Sequence, residues 1–361
     1  MNTVLHTMQR YLPLSEQFVH TLIKRTAHRA VVVSRDPIEN EDTFPIKPLY
    51  SLARVAKRHD PPTISERRIL TAALAAIATA HRAKILHHHH GYRLSDVLGA
   101  VRRLKLPLVV SAHGQDVTAF ARQWPGAVRD PLQQADAVIV PSRFIVSAVE
   151  QLGVDPGKIH VIPSGVDTAF YSPSPMRDGP PEALFVGRFV EKKGIDVLLK
   201  AWASVRNKIP DARLVLLGYG PLEDLARSGG DGVTVEPAEP SRRGTQVRDA
   251  IRRARVVVTP SRTAADGDVE TLLLVNLEAM ASGRPVVTTR HGGIPEFVDE
   301  GRTALVVPEN DPSALATALE RVLSDDELAT SLGAAGPEWA GRFDWGKTAR
   351  AVDDLYETLA R

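Results

Sequence analysis

Gly187-Arg-Phe-Val-Glu-Lys-Lys-Gly194 is the stretch of this 361-residue chain from which its fold is most readily predicted. It follows the apolar run 183–186, which indicates a buried strand, and precedes 195–205, whose apolar spacing indicates an amphipathic helix. Two glycines therefore bracket Arg188 and Lys193 in a strand-to-helix turn. Fixed cations beside a helix N-terminus suit a diphosphate. A loop whose Arg and Lys merely face solvent fits this stretch equally well when it is taken alone.

A second group of motifs favours the diphosphate interpretation. Glu270 and Glu278 flank an apolar run, and His291-Gly-Gly-Ile-Pro-Glu296 follows them. Three further segments lie upstream, at 109–116, 138–142 and 161–167. In this order the motifs resemble the family-4 retaining glycosyltransferases, and the resemblance covers nearly the whole chain.

The order of predicted elements also indicates the fold class. Short β-branched runs alternate with helical patterns along the chain, which is typical of parallel sheets with crossover helices. Twelve runs are strand candidates: 4–6, 30–33, 84–87, 108–111, 137–140, 159–162, 184–186, 214–217, 233–235, 256–259, 285–288 and 304–307. We predict an α/β protein of GT-B architecture, with two doubly wound, Rossmann-like domains facing each other across a cleft.

Domain boundaries follow from the composition and from the resemblance. Residues 1–168 are the predicted acceptor-side domain, and 169–181 are a linker rich in Pro and turn formers. Residues 182–342 are the predicted nucleotide-sugar-binding domain. The resemblance implies that 343–361 form a helix that crosses back to the N-terminal domain.

Charge is nearly balanced overall but uneven along the chain. Residues 1–170 carry 21 Lys/Arg against 14 Asp/Glu, whereas the remainder carries 24 against 29. A basic first half favours an anionic partner, such as a phospholipid surface in peripheral contact or an acidic acceptor, although solvated Arg-rich surfaces explain it as well. The chain has no cysteine, no signal-peptide pattern at its start, and an apolar segment at 69–80 that is too short to span a membrane. We predict a buried helix at 69–80 in a cytoplasmic protein, peripheral at most at the inner membrane face, with no nucleic-acid partner.

The resemblance assigns roles to the donor-binding residues. A departing diphosphate needs cations held in advance, and Arg188 and Lys193 occupy the family's diphosphate-binding positions. Glu270 is expected to contact hydroxyls of the donor sugar. Glu278, which is predicted to open a helical run, is expected to contact the ribose hydroxyls. The predicted nucleotide-sugar-binding set is Gly187, Arg188, Lys193, Glu270, Thr271, Leu272, Leu273 and Glu278.

The segment after Glu270 departs from the family pattern. The family commonly has glycine there, then an apolar residue and Pro or Gly, whereas this chain has Thr271-Leu272-Leu273. A Cβ narrows a pocket that glycine leaves open. The identity of the donor sugar therefore does not carry over from the family.

Three residues of the first half complete the predicted site. The resemblance places His113 near the donor sugar as a fourth catalytic residue, beside Arg188, Lys193 and Glu270; a packing histidine is the alternative. Asp116 either orients His113 or touches the acceptor. The family's glycine pair after the first strand is missing, and Ser15 is a candidate helix cap and acceptor-side residue there.

Other classes of site fit the sequence less well. Gly218-Tyr-Gly220 lacks the third glycine of a dinucleotide fingerprint, since that position is Glu223. Asp266-Gly-Asp268 is interpreted as a solvated loop. His87–His90 end a strand, where alternate imidazoles point to opposite faces, and two on one face are a weak metal signal without a third ligand. We predict neither a metal site nor a cofactor.

The sequence therefore predicts a metal-independent retaining glycosyltransferase. It moves a hexose-type sugar from a nucleotide diphosphate sugar, UDP favoured, to an unidentified hydroxyl acceptor in exopolysaccharide, glycolipid or secondary-metabolite synthesis. Same-face attack with the departing phosphate as base is implied by the resemblance. An epimerase or dehydrogenase of related fold, or a non-catalytic nucleotide-sugar-binding protein, are the alternatives.

Overall fold

The structure is a computed structural model that describes residues 1–13, 16–55, 63–176, 179–239 and 243–361. The chain forms two compact units. Unit 1 comprises Met1–Ser164 and Trp345–Arg361, and unit 2 comprises Gly165–Asp344. The described part of the predicted linker, 169–181, thus belongs to unit 2, and the final helix belongs to unit 1.

Unit 1 is built on a seven-stranded parallel sheet. Its strands are β1 (Thr3–Met8), β2 (Arg29–Ser34), β3 (Leu49–Ser51), β4 (Ala83–His89), β5 (Leu108–Ser111), β6 (Ala137–Val140) and β7 (Ile159–Val161). They lie in the order β3-β2-β1-β4-β5-β6-β7. The connecting helices are α1 (Gln17–Arg25), α2 (Ile64–Ala80), α3 (Ser95–Leu104), α4 (Ala119–Gln123), α5 (Pro125–Leu132) and α6 (Val146–Gln151).

Unit 2 contains a six-stranded parallel sheet. Its strands are β8 (Glu182–Arg188), β9 (Arg213–Tyr219), β10 (Val233–Pro237), β11 (Val256–Thr259), β12 (Val286–Thr289) and β13 (Ala304–Val307), in the order β10-β9-β8-β11-β12-β13. Its helices are α7 (Ile195–Lys208), α8 (Glu223–Arg227), α9 (Arg243–Arg253), α10 (Leu274–Ala281), α11 (Pro312–Ser324) and α12 (Asp326–Ala340). The last helix, α13 (Trp345–Leu359), returns to unit 1.

Both sheets are buried on both faces, as continuous apolar strands require. On β11, Val256 and Val258 belong to one apolar cluster, while Val257 belongs to the cluster on the other face. On β4, Ile85 and Leu86 divide in the same way. Each sheet therefore has helices on both sides, which makes both units doubly wound.

All twelve predicted strands are present, and β3 was missed. This strand has only three residues, lies at the sheet edge beside β2, and exposes Tyr50 and Ser51. No apolar alternation marks so short an edge strand. The helix predicted at 69–80 begins earlier, at Ile64, where Thr63 and Glu66 form a capping box. It is also not wholly buried, because Ile69 is 48% exposed.

Strand order places the ligand-binding edge of each sheet. Order reverses between β1 and β4 in unit 1 and between β8 and β11 in unit 2. Ligands of open parallel sheets bind outside the carboxyl ends of the strands at such a switch point. No helix among the described residues combines the length and the apolar character needed to cross a membrane.

A buried arginine holds the start of unit 2 to its sheet. The Arg284 side chain is fully buried just before β12. Its guanidinium donates to the carbonyls of Ser174 (2.7 Å), Pro175 (2.8 Å) and Ala254 (2.8 Å). A buried carbonyl that loses such a donor cannot replace the lost hydrogen bond with one to water.

Replacing Arg284 by Met is expected to lower the free energy of unfolding by about 3 kcal/mol or more, because several buried carbonyls lose their donor. Urea unfolding followed by circular dichroism measures this change. Arg213→Met is the matched control, because Arg213 is exposed on β9 of the same unit. Equal stability of the two variants would contradict a clamping role for Arg284.

Candidate donor site

The turn after β8 is shaped by glycine. A 3-10 turn at Glu191–Lys193 leads to Gly194, which has φ +67° and precedes α7. A Cβ on Gly194 would lie 2.0 Å from the carbonyl oxygen of Pro260. Only glycine allows this approach, so the turn is packed directly against the loop that follows β11.

The glycines at 218 and 220 have a packing role. A Cβ on Gly218 would lie 1.9 Å from the Gly187 carbonyl oxygen, and one on Gly220 would lie 2.6 Å from that of Phe189. The end of β9 therefore packs tightly against the β8 turn. This contact explains the Gly-x-Gly pattern without a dinucleotide.

Two lysines of the β8 turn meet two carboxylates from the β11 loop. Lys193 Nζ lies 2.8 Å from Glu270 Oε1. Lys192 Nζ lies 3.0 Å from Asp268 Oδ2 and 3.9 Å from Glu270 Oε1. All four side chains are largely buried. Parallel strands adjacent at the switch point thus bring the predicted residues Lys193 and Glu270 into contact.

Asp268 corrects the interpretation of Asp266-Gly-Asp268 as a solvated loop. Asp266 is exposed, but Asp268 is only 8% exposed and pairs with Lys192. The Asp266 carboxylate accepts the backbone N–H of Asp268 at 2.8 Å, which turns the chain inward. The local sequence marks neither Lys192 nor Asp268 as a site residue, because their partners lie on different loops.

Arg188 ends β8 and is half-buried. None of the described residues forms an ion pair or hydrogen bond with its guanidinium. We call Arg188, Lys192, Lys193, Asp268 and Glu270 the charged cluster. Its three cations exceed its two carboxylates by one charge, which favours an anionic ligand.

Burial and the neighbouring charges shift the pKa values of two residues in the cluster. Burial lowers the pKa of Lys193, with Lys192 and Arg188 adding to the effect and Glu270 opposing it. Burial alone would raise the pKa of Glu270, but Lys193 and Lys192 outweigh it, and the net pKa is lowered. The lowered pKa of Glu270 shows that the two lysines stabilise its carboxylate more than burial destabilises it. An anion bound beside Lys193 would likewise favour the charged form of that lysine.

The loop after β12 holds the backbone of Glu270. The Glu270 N–H donates to His291 Nε2 at 3.1 Å, and the Gly293 N–H donates to the Glu270 carbonyl at 3.0 Å. Gly292 has φ +54°, and a Cβ there would lie 2.0 Å from the Glu270 carbonyl oxygen. On its other side, His291 Nδ1 lies 3.0 Å from Glu309 Oε2. The motif His291–Glu296 thus fixes the peptide that carries the candidate sugar-binding carboxylate.

Helix α10 begins at Leu274 and not at Glu278, so the prediction that Glu278 opens the helix was wrong. Its residues are buried almost all round, and such a helix has no polar face to mark its start. Glu278 therefore lies in the second half of α10, half-buried. No side chain caps the N-terminus of α10, while Thr271 and Leu273 of the preceding segment are buried.

In unit 1, Asp116 organises the loop that carries His113. The Asp116 carboxylate accepts backbone N–H groups of His113 (3.0 Å), Gly114 (2.8 Å) and Gly91 (2.7 Å). Asp116 is 1% exposed, which favours the orienting role over contact with an acceptor. His113 itself packs against Phe18 and His90, and burial lowers its pKa well below the usual value.

An ion pair that the sequence analysis missed lies at the switch point of unit 1. His90 Nε2 is 3.2 Å from Glu16 Oε1, which joins the loops after β1 and β4. Burial opposes the charged imidazole, but Glu16 and Asp116 outweigh it and raise the pKa of His90. Ser15, the predicted acceptor-side residue beside Glu16, lies outside the described residues.

A third imidazole joins the histidines of β4. His6 on β1 lies beside His87 and His89, with His6 Nδ1 3.1 Å from His89 Nε2. The rings of His6 and His89 are nearly parallel, with centroids 5.4 Å apart, so these nitrogens face each other head-on. His87 bonds Ser111 through Nε2 and Tyr356 through Nδ1. One ring nitrogen of each of these three buried histidines lies within 4.8 Å of the other two, so the third ligand that spacing along β4 did not show is present. The hydrogen bonds join the rings and their partners in a buried network.

Two doubly wound sheets, with charged residues on loops at the carboxyl ends of their strands, define a protein of the GT-B class. Solved structures of this architecture share the fold. The Anabaena protein HepE in complex with UDP-glucose aligns with a TM-score of 0.80, 19% identity, and coverage of 99% of this chain and 100% of that one. Sucrose-phosphate synthase from Thermosynechococcus elongatus aligns with a TM-score of 0.75, 22% identity and 99% coverage of both.

Sequence comparison gives the family. The model described as Glycosyltransferase Family 4 matches residues 5–170, and the model described as Glycosyl transferases group 1 matches residues 180–325. A protein assigned to colanic acid biosynthesis as a glycosyltransferase, WcaL of Escherichia coli, is 32% identical over 82% of this chain and 75% of its own. A GDP-mannose-dependent phosphatidylinositol monomannoside mannosyltransferase of Mycolicibacterium smegmatis is 35% identical over 69% of each chain. The chain belongs to glycosyltransferase family 4, which confirms the predicted family, the GT-B fold and the enzyme class.

Proposed function

We propose that the charged cluster binds the diphosphate and sugar of a nucleotide-sugar donor, from which the enzyme transfers a hexose with retention to a hydroxyl acceptor. The observation that carries this proposal is the net positive charge of the cluster at the switch point of unit 2. The β8 turn leads straight into α7, whose first N–H groups add a positive dipole end.

Each residue of the cluster has a chemical task in this proposal. Arg188, which pairs with no described residue, and Lys193 offset the charge that develops on the departing diphosphate. Glu270 accepts hydroxyls of the donor sugar, and its ion pair with Lys193 links sugar to phosphate. The acceptor hydroxyl then attacks the anomeric carbon from the face that the diphosphate leaves. Its proton passes to a departing phosphate oxygen.

Lys192 and Asp268 support this arrangement. The Asp268 carboxylate holds Lys192 at 3.0 Å, so Lys192 stands beside Glu270 without displacing Lys193.

Glu278 is proposed to bind the ribose. UDP is the favoured nucleotide. GDP is the alternative, because the mannosyltransferase relative is named as GDP-mannose-dependent. A pathway of exopolysaccharide or glycolipid synthesis, contact with an anionic membrane and a role of His113 toward the donor sugar stay predictions.

Nucleotide binding tests the proposal. Isothermal titration with UDP and GDP is expected to show one site per chain in the wild-type protein. Arg188→Ala should weaken that site about 10-fold or more, because charged hydrogen bonds to phosphate are lost. If Arg188→Ala bound the nucleotide as tightly as the wild type does, the nucleotide site would lie elsewhere.

Chelation is expected to leave the transfer rate unchanged, because Arg188, Lys192 and Lys193 supply the charge that a divalent ion would otherwise provide. The rate of nucleotide release from the donor is measured with and without EDTA. A rate abolished by EDTA and restored by manganese or magnesium would contradict this. Asp268 would then be the first ligand to test, with Asp268→Asn.

A further inference from the structure

Glu309, His291 and Glu270 form a continuous chain of contacts in unit 2. His291 is 3% exposed and stands between the other two residues. Its Nδ1 faces Glu309 Oε2 at 3.0 Å, and its Nε2 faces the backbone N–H of Glu270 at 3.1 Å. Glu309 is itself held by the backbone N–H of Thr263 at 2.7 Å.

These contacts determine the tautomer of His291. A backbone N–H can only donate, so Nε2 must carry a lone pair. The carboxylate of Glu309 can only accept, so Nδ1 must carry the proton. An imidazolium has N–H groups at both positions. Its Nε2–H would then face the backbone N–H of Glu270, and two donors cannot form a hydrogen bond.

We propose that His291, held in its Nδ1–H form by Glu309, is a positioning residue that fixes Glu270 for the donor sugar. The proposal rests on the proposed function, since it assigns a purpose to the same site. Glu270 Oε1 lies 2.8 Å from Lys193 Nζ, and a displaced Glu270 backbone would break that pair. The site therefore requires an unprotonated His291.

Charged groups around His291 set when it protonates. Burial lowers the pKa of His291, Glu309 and Glu270 raise it, Lys192 lowers it, and the net pKa lies below the ordinary value of an imidazole. The neighbouring Arg290 is occupied by Glu300. The neutral form is thus present at neutral pH, and donor binding is lost as the pH falls through the pKa of His291.

The first experiment measures the tautomer. Long-range ¹H–¹⁵N correlation spectra of the full-length protein separate the two neutral forms from the imidazolium, and the signal missing in His291→Gln identifies His291. We expect the Nδ1–H form at neutral pH. An Nε2–H tautomer or an imidazolium would overturn the proposal, whether or not any nucleotide binds.

The second experiment compares affinities for nucleotide sugars and for the nucleotide diphosphates alone. UDP-glucose with UDP, and GDP-mannose with GDP, are the probe pairs. His291→Leu is expected to lose about 10-fold or more in affinity for the preferred nucleotide sugar, because the Glu270 N–H loses its acceptor. Affinity for the diphosphate alone should stay within about threefold, since Arg188 still binds it. His291→Gln, whose carbonyl oxygen can accept that N–H, should restore the sugar-dependent affinity.

A pH series separates positioning from general destabilisation. The acid limit is the pH below which affinity for the nucleotide sugar is lost. Glu309→Gln keeps an acceptor for Nδ1–H but removes a negative charge that raises the pKa of His291. The acid limit should therefore move to lower pH. His291→Gln should abolish that limit, whereas His160→Gln on β7 of unit 1 should leave it in place. An acid limit unchanged in Glu309→Gln would overturn the proposal.

Failure of the wild type to bind any of the four probes would instead contradict the proposed function, while the tautomer still decides the role of His291.

Discussion

Replacing Lys193 by alanine is expected to lower the turnover of the donor about 100-fold or more. The substitution removes a buried cation 2.8 Å from Glu270 and leaves that carboxylate with Lys192 at 3.9 Å. Arg188→Ala should cost a similar factor, because its guanidinium pairs with no described residue and is proposed to contact the departing diphosphate directly. Single preorganised donors at developing charge are commonly worth about 2.7–4 kcal/mol.

Release of nucleotide diphosphate from the preferred donor measures these rates. Lys200→Ala is the matched control, since Lys200 is an exposed lysine on the adjoining α7. Circular dichroism confirms that each variant folds. If either variant kept more than about a tenth of the wild-type rate, that residue would not be part of the diphosphate site.

Glu270→Gln is expected to lower turnover by about 100-fold while the affinity for the nucleotide diphosphate changes less than about threefold. The substitution keeps the shape of the side chain, but it leaves Lys193 and Lys192 without their shared carboxylate. It also weakens the hydrogen bonds proposed for the donor sugar. The effect should therefore appear with the complete nucleotide sugar and not with the nucleotide alone.

Glu278→Gln provides the contrast to this result. Glu278 is proposed to bind the ribose, so its variant should weaken the nucleotide diphosphate and the nucleotide sugar by the same factor. Titration calorimetry of both variants with both ligands separates the two roles. Parallel losses in Glu270→Gln and Glu278→Gln would mean that the two glutamates do not divide the donor between sugar and ribose.

The fold was largely predictable because parallel sheets leave a strong local signal. Buried strands such as 256–259 are short β-branched runs, and every predicted run is a strand in the structure. The turn 187–194 was predictable for the same reason, since strand, glycine and helix follow one another in the sequence. The edge strand β3 was missed because a three-residue exposed strand carries neither signal.

Long-range contacts of the site were not predictable from local patterns. Nothing in the local sequence distinguishes Lys192, and only the packing of the β11 loop places Asp268 at 3.0 Å from it. His291 was recognised as part of a motif, but its bond to Glu270 links residues of two loops. Such pairings depend on strand order, which places β8 beside β11 and β11 beside β12.

The histidines show the same limit. Alternation along β4 placed His87 and His89 on one face, and the third member, His6, became evident only from the pairing of β1 with β4. Glu16 and His90 were likewise joined by the switch point of unit 1. Sequence spacing within one strand cannot show which neighbour lies beside it.

Thermal unfolding in the presence of a nucleotide panel tests the central claim most directly. UDP, UDP-glucose, GDP and GDP-mannose are added to the wild type and to the Arg188→Ala/Lys193→Ala double variant. One nucleotide family is expected to stabilise the wild type, by about 2.7 kcal/mol at 100 times its dissociation constant, and to leave the double variant unshifted. A wild type that is stabilised by none of the four, or a double variant stabilised equally, would contradict the assignment of the charged cluster as the donor site.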